Sequence, residues 1–428
     1  MKRFVFPVLF LLLVAFCSVY LEARILTVTI KEPIHPITAE IIVKAIKQAG
    51  QEKAELLIIK LDTPGGLDSS MREIIEAIVS SPVPVVAYVS PAGARAASAG
   101  LFISMACDIF AMAPGTSTGA AHPVSIGTSG QEQDKTMEEK VTHDAAAYIR
   151  TLAEKRGRNI QMAEDAVRKS LSYTEQEALK GKLIDLIAKN EQELIEALDG
   201  KEIKRFNGEV QALNLEDQTL VELPLTFRQK LLMAIANPNL AYILLMLGLL
   251  GLYFEFANPG AIFPGVIGGI SLLLALFSFQ ILPVNYVGLL LILLGTVFFV
   301  LEIKVTSYGA LALGGVISLF LGSVILIKSP IPELRPSLKF IVPVVLGVSL
   351  IFVLLVYLVI KAHRRRALTG KEGLVGETGQ ALTPVFPNGK VFVHGSIWRA
   401  VSDDKIEKGD KVQVVEVQDH LTLKVKKV

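Results

Sequence analysis

A single hydroxyl in a run of small residues is the first candidate for chemistry in this sequence. The stretch GARAASAG, residues 93–100, holds Ser98 among glycines and alanines, which leave a hydroxyl approachable. Ser98 follows a predicted strand and opens a predicted helix. The N–H of Ala99 is then free to donate, because the first N–H groups of a helix lack partners within it. An ordinary helix N-cap has the same position, so the serine alone does not establish a nucleophile.

A glycine turn lies upstream of this serine. In LDTPGGLDSS, residues 61–70, a strand ends, the turn follows and a helix begins. Glycines let the backbone approach a ligand closely, and their N–H groups can point at an oxyanion. A tight strand-to-helix turn without any catalytic role has the same composition, so this pattern is weak by itself.

A serine nucleophile needs a neighbouring base, and two residues are candidates. Lys140 lies near the start of a helix predicted to begin at Thr136, which forms a T-x-x-E capping box with Glu139. The helix dipole disfavours a cation there, which favours the neutral amine. His122, in GAAHPV, is the rival base. Spacing alone leaves Lys140 open to being an ordinary surface lysine.

The composition places this chemistry in a membrane protein. The chain has 428 residues, of which 51% are hydrophobic, and its mean hydropathy is +0.50. A net charge of +2 gives no broad basic surface, so we expect no nucleic-acid partner. Two cysteines support neither a disulfide framework nor a metal site, and no HExxH or P-loop pattern occurs. We therefore expect no cofactor and no metal.

Composition divides the chain into five parts. Residues 1–23 have the basic start and apolar run of a signal peptide or anchor. Residues 24–207 alternate strands and helices, which predicts a parallel sheet with helical crossovers. A linker is predicted over 208–230 and a membrane domain of about five spans over 231–362. Residues 367–428 hold short alternating strands that suit a small closed barrel of OB type.

The five apolar segments predict an orientation in the membrane. KAHRRR, residues 361–366, flanks the last segment and should be cytoplasmic by the positive-inside rule. An odd number of spans then places the Ser98 domain outside the cell membrane and the barrel in the cytoplasm. Glu255 and Glu302 end matching spans of two similar hairpins, and their roles stay open. The segments lie near Asn239–Phe254, Ile262–Ile281, Val284–Leu301, Gly309–Ile327 and Phe340–Ile360.

Taken together, these motifs resemble a known family. DTPGG, ARAASAG, MAPGTSTGAAHPV and the Lys140 helix, in this order, resemble the long form of the NfeD (nodulation efficiency protein D) family. Its members are membrane-bound serine proteases of the Clp-protease/signal-peptide-peptidase class, and the resemblance covers essentially the whole chain. It implies an α/β Clp/crotonase-like β-α spiral protease domain, then an α-helical multi-span membrane region, then a small all-β OB-like barrel.

The resemblance also implies roles for individual residues. Ser98 would be the nucleophile and Lys140 the general base, and the N–H groups of Gly66 and Ala99 would form the oxyanion hole. Clp proteases use a histidine base, and His122 falls near where that histidine would align, so it stays the alternative.

Apolar residues near these positions, among them Leu67 and Leu101, predict hydrophobic substrates. The resemblance implies cleavage of hydrophobic segments of stomatin-like membrane proteins, a stomatin or flotillin partner and, by analogy, a homodimer. The alternative is a non-catalytic membrane scaffold for such a partner, because a fold does not fix a function.

Overall fold

The structure is a computed structural model that describes residues 24–124, 135–216, 218–257, 262–305, 307–329, 332–363, 371–418 and 422–428. The predicted signal, residues 1–23, lies outside the described residues. The chain divides into two compact units, Met1–Phe298 with Ala310–Val348, and Phe299–Gly309 with Ser349–Val428, and each is described by itself.

The first unit is built around a six-stranded parallel sheet. Continuous apolar runs such as LLIIKL and VVAYV form its central strands, as expected for strands buried on both faces. This confirms the α/β class predicted for the protease domain. The strands, in sheet order, are β11 (Thr219–Glu222), β1 (Arg24–Ile30), β2 (Leu56–Leu61), β3 (Val85–Val89), β5 (Ile109–Met112) and β8 (Leu186–Ile187).

Helices and a smaller sheet surround these strands. The smaller sheet has the order β4 (Arg95–Ala97), β6 (Ser117–Gly119), β7 (Ser172–Thr174), and β9 (Glu202–Lys204) pairs with β10 (Val210–Ala212). The helices are α1 (Pro36–Gln51), α2 (Asp68–Val79), α3 (Ala99–Ala106), α4 (Lys135–Lys155), α5 (Ile160–Arg168), α6 (Glu175–Lys180) and α7 (Glu191–Leu198).

The stretch predicted as a linker, 208–230, has regular structure. It contains β10 and β11, and β11 extends the main sheet by pairing in parallel with β1. The first turn of the next helix, α8 (Phe227–Ala236), also falls in this stretch. The sequence of β11, TLVE, lacks the alternation of apolar and polar residues that marks a strand with one buried face. Its residues lie at the edge of the sheet, where three are exposed and one is half-buried.

In the described residues, five apolar helices follow, each overlapping a segment predicted from hydropathy. They are α9 (Pro238–Ala257), α10 (Phe263–Phe279), α11 (Tyr286–Lys304), α12 (Ala310–Ile325) and α13 (Leu338–His363). In the described part of the chain, Pro238–Glu255 is long and apolar enough to cross a bilayer, and the other four contain shorter apolar stretches.

Glycines allow these helices to pack closely in two hairpins. A Cβ on Gly251 of α9 would lie 2.7 Å from Gly268 Cα on α10. A Cβ on Gly295 of α11 would lie 3.0 Å from the Leu319 side chain on α12. Small residues at such contacts are typical of helix pairs in membranes.

The barrel predicted at the C-terminus is present. After the short helix α14 (Lys371–Leu374), five strands close in the order β12-β13-β14-β16-β15 around a core that includes Val391, Val412 and Leu423. The strands are β12 (Thr378–Ala381), β13 (Asn388–Val393), β14 (Ser396–Val401), β15 (Lys411–Gln418) and β16 (Thr422–Lys427).

A buried ion cluster around Asp108, the residue before β5, gives a stability prediction. Asp108 Oδ1 lies 2.7 Å from Arg156 Nη1 and 3.1 Å from Arg205 Nε, and the Asp108 and Arg156 side chains are almost fully buried. We expect Asp108→Ala to lower the free energy of unfolding by about 3–5 kcal/mol, because it leaves buried guanidinium charge unpaired. Lys169→Ala, which removes an ion pair between the exposed Lys169 and the half-buried Asp165, should cost about 1 kcal/mol or less. Denaturant unfolding of the full chain in detergent measures both, and equal losses would contradict the prediction.

Candidate active site

One cleft collects most of the residues singled out in the sequence. Its volume is about 820 Å³, and Ser98, Ala99 and Gly66 line it together with both candidate bases, Lys140 and His122. These residues come from distant parts of the chain, so the fold creates the grouping.

Ser98 has an unusual backbone conformation. It joins β4 to α3 with φ 51° and ψ −116°, a region that residues other than glycine rarely adopt. The bond from Ser98 N to Gly119 O, at 2.9 Å, helps to hold it there. Ser98 occupies the N-cap position of α3, but its side chain makes no capping hydrogen bond. The Ser98 hydroxyl therefore does not stabilise the helix end by capping it.

The backbone N–H groups of Gly66 and Ala99 are the candidate oxyanion donors near Ser98. Ile34 N donates to Gly65 O, and Leu67 N donates to Ile34 O, each at 2.8 Å. These bonds bracket Gly66, so its N–H points away from Ile34. Ala99 is the first residue of α3, where an N–H has no partner within the helix. Both residues line the cleft with Ser98.

Gly65 fixes how closely the glycine turn approaches the serine, and this gives a second prediction. A Cβ at Gly65 would lie 2.5 Å from Ser98 Cβ, and Gly65 has φ +115°. We expect Gly65→Ala to lower kcat/KM by about 10²-fold or more, since the side chain displaces Ser98. Gly93→Ala is the matched control, because Gly93 has φ +88° but its added Cβ meets nothing within 4 Å. Equal kinetics for the two variants would contradict the prediction.

The residue that follows Ile34 gives a prediction for pH. His35 is the N-cap of α1, and its Nδ1 accepts hydrogen bonds from Ile37 N at 3.2 Å and Thr38 N at 3.4 Å. Burial lowers the pKa of His35 from 6.5 to about 4. The unfolded chain therefore takes up a proton near pH 6.5 that the folded chain resists until about pH 4.

The contribution of neutral His35 to stability is thus complete above pH 6.5 and is lost as the pH falls from 6.5 towards 4. We expect this loss to reach about 3 kcal/mol. In His35→Asn the cap has no titrating group, so that part of the pH dependence should disappear. The free energy of unfolding of the native chain and of His35→Asn is measured from pH 7 to pH 4. If it falls equally in the two proteins, the prediction is contradicted.

Lys140 lies in the second turn of α4, with an exposed side chain that lines the cleft. Asp144, one turn later on α4, also lines the cleft. Arg72 of α2 binds Asp144 at 2.6 Å and Asp68 at 2.9 Å, and its guanidinium lies 4.6 Å from the centre of the Tyr148 ring. Arg72 thus links α2 to α4, the helix that carries Lys140, through its ion pair with Asp144.

His122 makes contacts that bear on its role as the rival base. Its Nδ1 lies 3.0 Å from Val167 O, and because a carbonyl only accepts, Nδ1 carries the proton. Its Nε2 lies 3.8 Å from Glu138 Oε1 on α4. The backbone bond therefore orients the ring at the cleft, and the carboxylate lies beyond hydrogen-bond distance of its other nitrogen.

The apolar lining differs in one position from the sequence expectation. Leu67 lines the cleft, whereas Leu101 is fully buried in the core and Phe102 faces the cleft instead. Met71 also lines it. Helical spacing could have indicated both, since Phe102 is four residues after Ser98 and Met71 four after Leu67, which places each pair on one helix face.

Comparison with known proteins decides the family. The chain matches the models for the NfeD1b N-terminal domain over residues 24–223, the NfeD integral membrane domain over 239–358, and the NfeD-like C-terminal, partner-binding domain over 371–427. It is 37% identical to the membrane-bound protease PH1510 of Pyrococcus horikoshii over 387 residues, which cover 88% of this chain and 87% of that one. The chain belongs to the NfeD family. As a member with the integral membrane domain, it is an integral membrane protein.

One further relative and one solved structure place the match in context. The membrane protein NfeD1b of Bacillus subtilis is 28% identical over 394 residues, covering 89% of this chain and 87% of that one. Among solved structures, the 1510-N membrane protease specific for a stomatin homolog from Pyrococcus horikoshii is 36% identical. It covers 50% of this chain and 98% of its own, with a TM-score of 0.42.

Proposed function

We propose that this NfeD protein is a membrane-bound serine endopeptidase that uses Ser98 as nucleophile and Lys140 as general base. The observation that carries the proposal is the shared cleft. There, a serine at φ 51° that makes no capping hydrogen bond shares the lining with two backbone N–H donors and with a lysine from another helix. A merely structural serine at this helix end would cap it, and a merely structural lysine would not need to line the same cleft.

The steps follow from these positions. Neutral Lys140 takes the proton as Ser98 Oγ bonds to the substrate carbonyl carbon, and the N–H groups of Gly66 and Ala99 hold the oxyanion. Collapse of this intermediate breaks the C–N bond, and Lys140 gives its proton to the leaving amine. Water, activated by the same amine, then hydrolyses the acyl-enzyme. Arg72 holds Asp144 in an ion pair at the cleft, which joins the lysine-bearing helix α4 to α2.

The described residues include no hydrogen bond between Ser98 and Lys140. Catalytic hydrogen bonds are often long without substrate and tighten when it binds. The proposal therefore requires the two side chains to come together when a peptide occupies the cleft.

The walls of the cleft support hydrophobic peptides as substrates. Leu67, Met71, Phe102 and Val141 supply apolar side chains to its lining, which also holds the charged residues of the site. We propose a stomatin-like membrane protein as the physiological substrate and partner. Similarity to a protease specific for a stomatin homolog supports this, as does the match to a partner-binding C-terminal domain.

The proposal also includes the orientation of the chain. The protease domain would lie outside the cell membrane and the barrel in the cytoplasm, because five spans and the basic stretch 361–366 favour this arrangement. The C-terminal barrel would then meet a partner on the opposite side from the protease domain.

The test reconstitutes the full chain in nanodiscs together with a stomatin homologue. We expect cleavage within a hydrophobic segment of the homologue, mapped by mass spectrometry of the products. Binding of the homologue without cleavage, by folded protein, would contradict the proposal and favour a non-catalytic scaffold.

A further inference from the structure

The helix that connects the protease domain to the first membrane helix has an exposed apolar face. Helix α8 (Phe227–Ala236) is capped by Thr226, whose side chain accepts a hydrogen bond from Gln229 N. Phe227 is 83% exposed and Leu231 48% exposed, and Ala234 is also exposed. These three residues follow the i, i+4, i+7 spacing of one helix face, which we call the α8 outer face.

The opposite side of α8 is held by protein. Gln229, Ile235 and Ala236 are buried, and Arg228 forms an ion pair with Glu40 of α1 in the protease domain. Helix α8 also packs against α9 and α10. Its rotation about its own axis is therefore fixed, and the outer face cannot turn inward to hide its apolar side chains.

The height of α8 relative to the membrane follows from three links. Asn237 ends α8, and its Oδ1 accepts a hydrogen bond from Asn239 N in the first turn of α9. Ser278 Oγ, near the end of α10, donates to Ile235 O at 2.7 Å. Ser337 N, just before α13, donates to Asn239 Oδ1 at 2.8 Å. Helix α8 thus lies where α9 starts, α10 ends and α13 starts, which is one surface of the membrane domain.

Other exposed apolar residues mark the same surface. Leu338 and Phe340, in the first turn of α13, are 58% and 45% exposed. Phe and Leu are among the residues that interfacial helices direct into the boundary between lipid headgroups and acyl chains. The α8 outer face is continuous with this zone because α9 begins two residues after α8 ends.

We propose that α8 lies in the membrane interface, with Phe227, Leu231 and Ala234 facing lipid. An apolar helix face that borders membrane-spanning helices buries itself in the boundary between headgroups and acyl chains. Lys230 is exposed next to this face, and its long side chain can reach lipid phosphates. Through its packing against α1 and the Arg228–Glu40 pair, the interface helix positions the protease domain near the bilayer surface.

The test labels the full chain with bimane at single cysteines in phosphatidylcholine nanodiscs. The cysteines are introduced by Phe227→Cys and Leu231→Cys in a Cys17→Ser background, and fully buried Cys107 stays in place. Lipid-attached doxyl near the headgroup reports contact with lipid, and iodide reports contact with water. Leu273→Cys, exposed on α10, is the lipid-facing control, and Leu179→Cys, exposed on α6, is the water-facing control.

We expect doxyl lipid to quench the labels at 227 and 231 at least about twofold more than the label at 179, and about as much as that at 273. Quenching equal to that at 179 overturns the proposal. Protection from both quenchers also overturns it, because a protein segment or a second copy would then cover the face. Neither result depends on peptidase activity.

Discussion

Replacing Ser98 with alanine is expected to lower kcat/KM by at least about 10⁴-fold while leaving the fold intact. The hydroxyl makes no capping bond in α3, so its loss costs the folded state little. It also supplies the only atom that would form the acyl bond, so its loss removes covalent catalysis. Cleavage of a hydrophobic peptide by the full chain in detergent measures the effect, with thermal unfolding as the check on folding.

A second serine in the cleft provides the matched control for this experiment. Ser170 also lines the cleft and also has a positive φ, of 55°. Ser170→Ala removes a hydroxyl from the same surroundings, and we expect it to retain activity. Retained cleavage in Ser98→Ala, or loss in Ser170→Ala alone, would contradict the assignment of the nucleophile.

The second large effect is expected at the base. Lys140→Ala should lower kcat/KM by about 10³-fold or more, because nothing then accepts the Ser98 proton. Lys140→Arg should be as inactive, although it keeps the positive charge and length, because a guanidinium does not lose its proton in a protein. Comparing the two variants distinguishes a role of Lys140 in proton transfer from a role of its positive charge alone.

His122→Gln tests the rival base in the same assay. Its ring donates to Val167 O, a bond that a glutamine amide can replace, so we expect kcat/KM within about tenfold of the native chain. Loss of cleavage in His122→Gln together with retention in Lys140→Ala would instead make this a serine–histidine enzyme.

Several features of the structure were predictable from local patterns in the sequence. The strand-to-helix position of Ser98 was predictable from GARAASAG, because small residues flank a turn that needs an unusual backbone. The apolar segments of the membrane domain follow directly from hydropathy. The five-stranded barrel was predictable from its alternating strands and glycine turns.

Features that depend on distant neighbours were not predictable. Nothing local marks Arg72 as the link between α2 and Asp144, since the two are 72 residues apart. Strand β11 is recognised only by its pairing with β1, so its segment reads as a linker.

The most direct test of the central claim is covalent labelling of the nucleophile. The full chain in detergent is treated with a fluorophosphonate, which transfers its phosphonyl group to an activated serine with loss of fluoride, and the adduct is mapped by mass spectrometry. The account predicts a single adduct on Ser98 Oγ, formed much more slowly in Lys140→Ala. An adduct on another residue, found in protein that cleaves peptide, would contradict it. Equally fast labelling of Ser98 in Lys140→Ala would also contradict it.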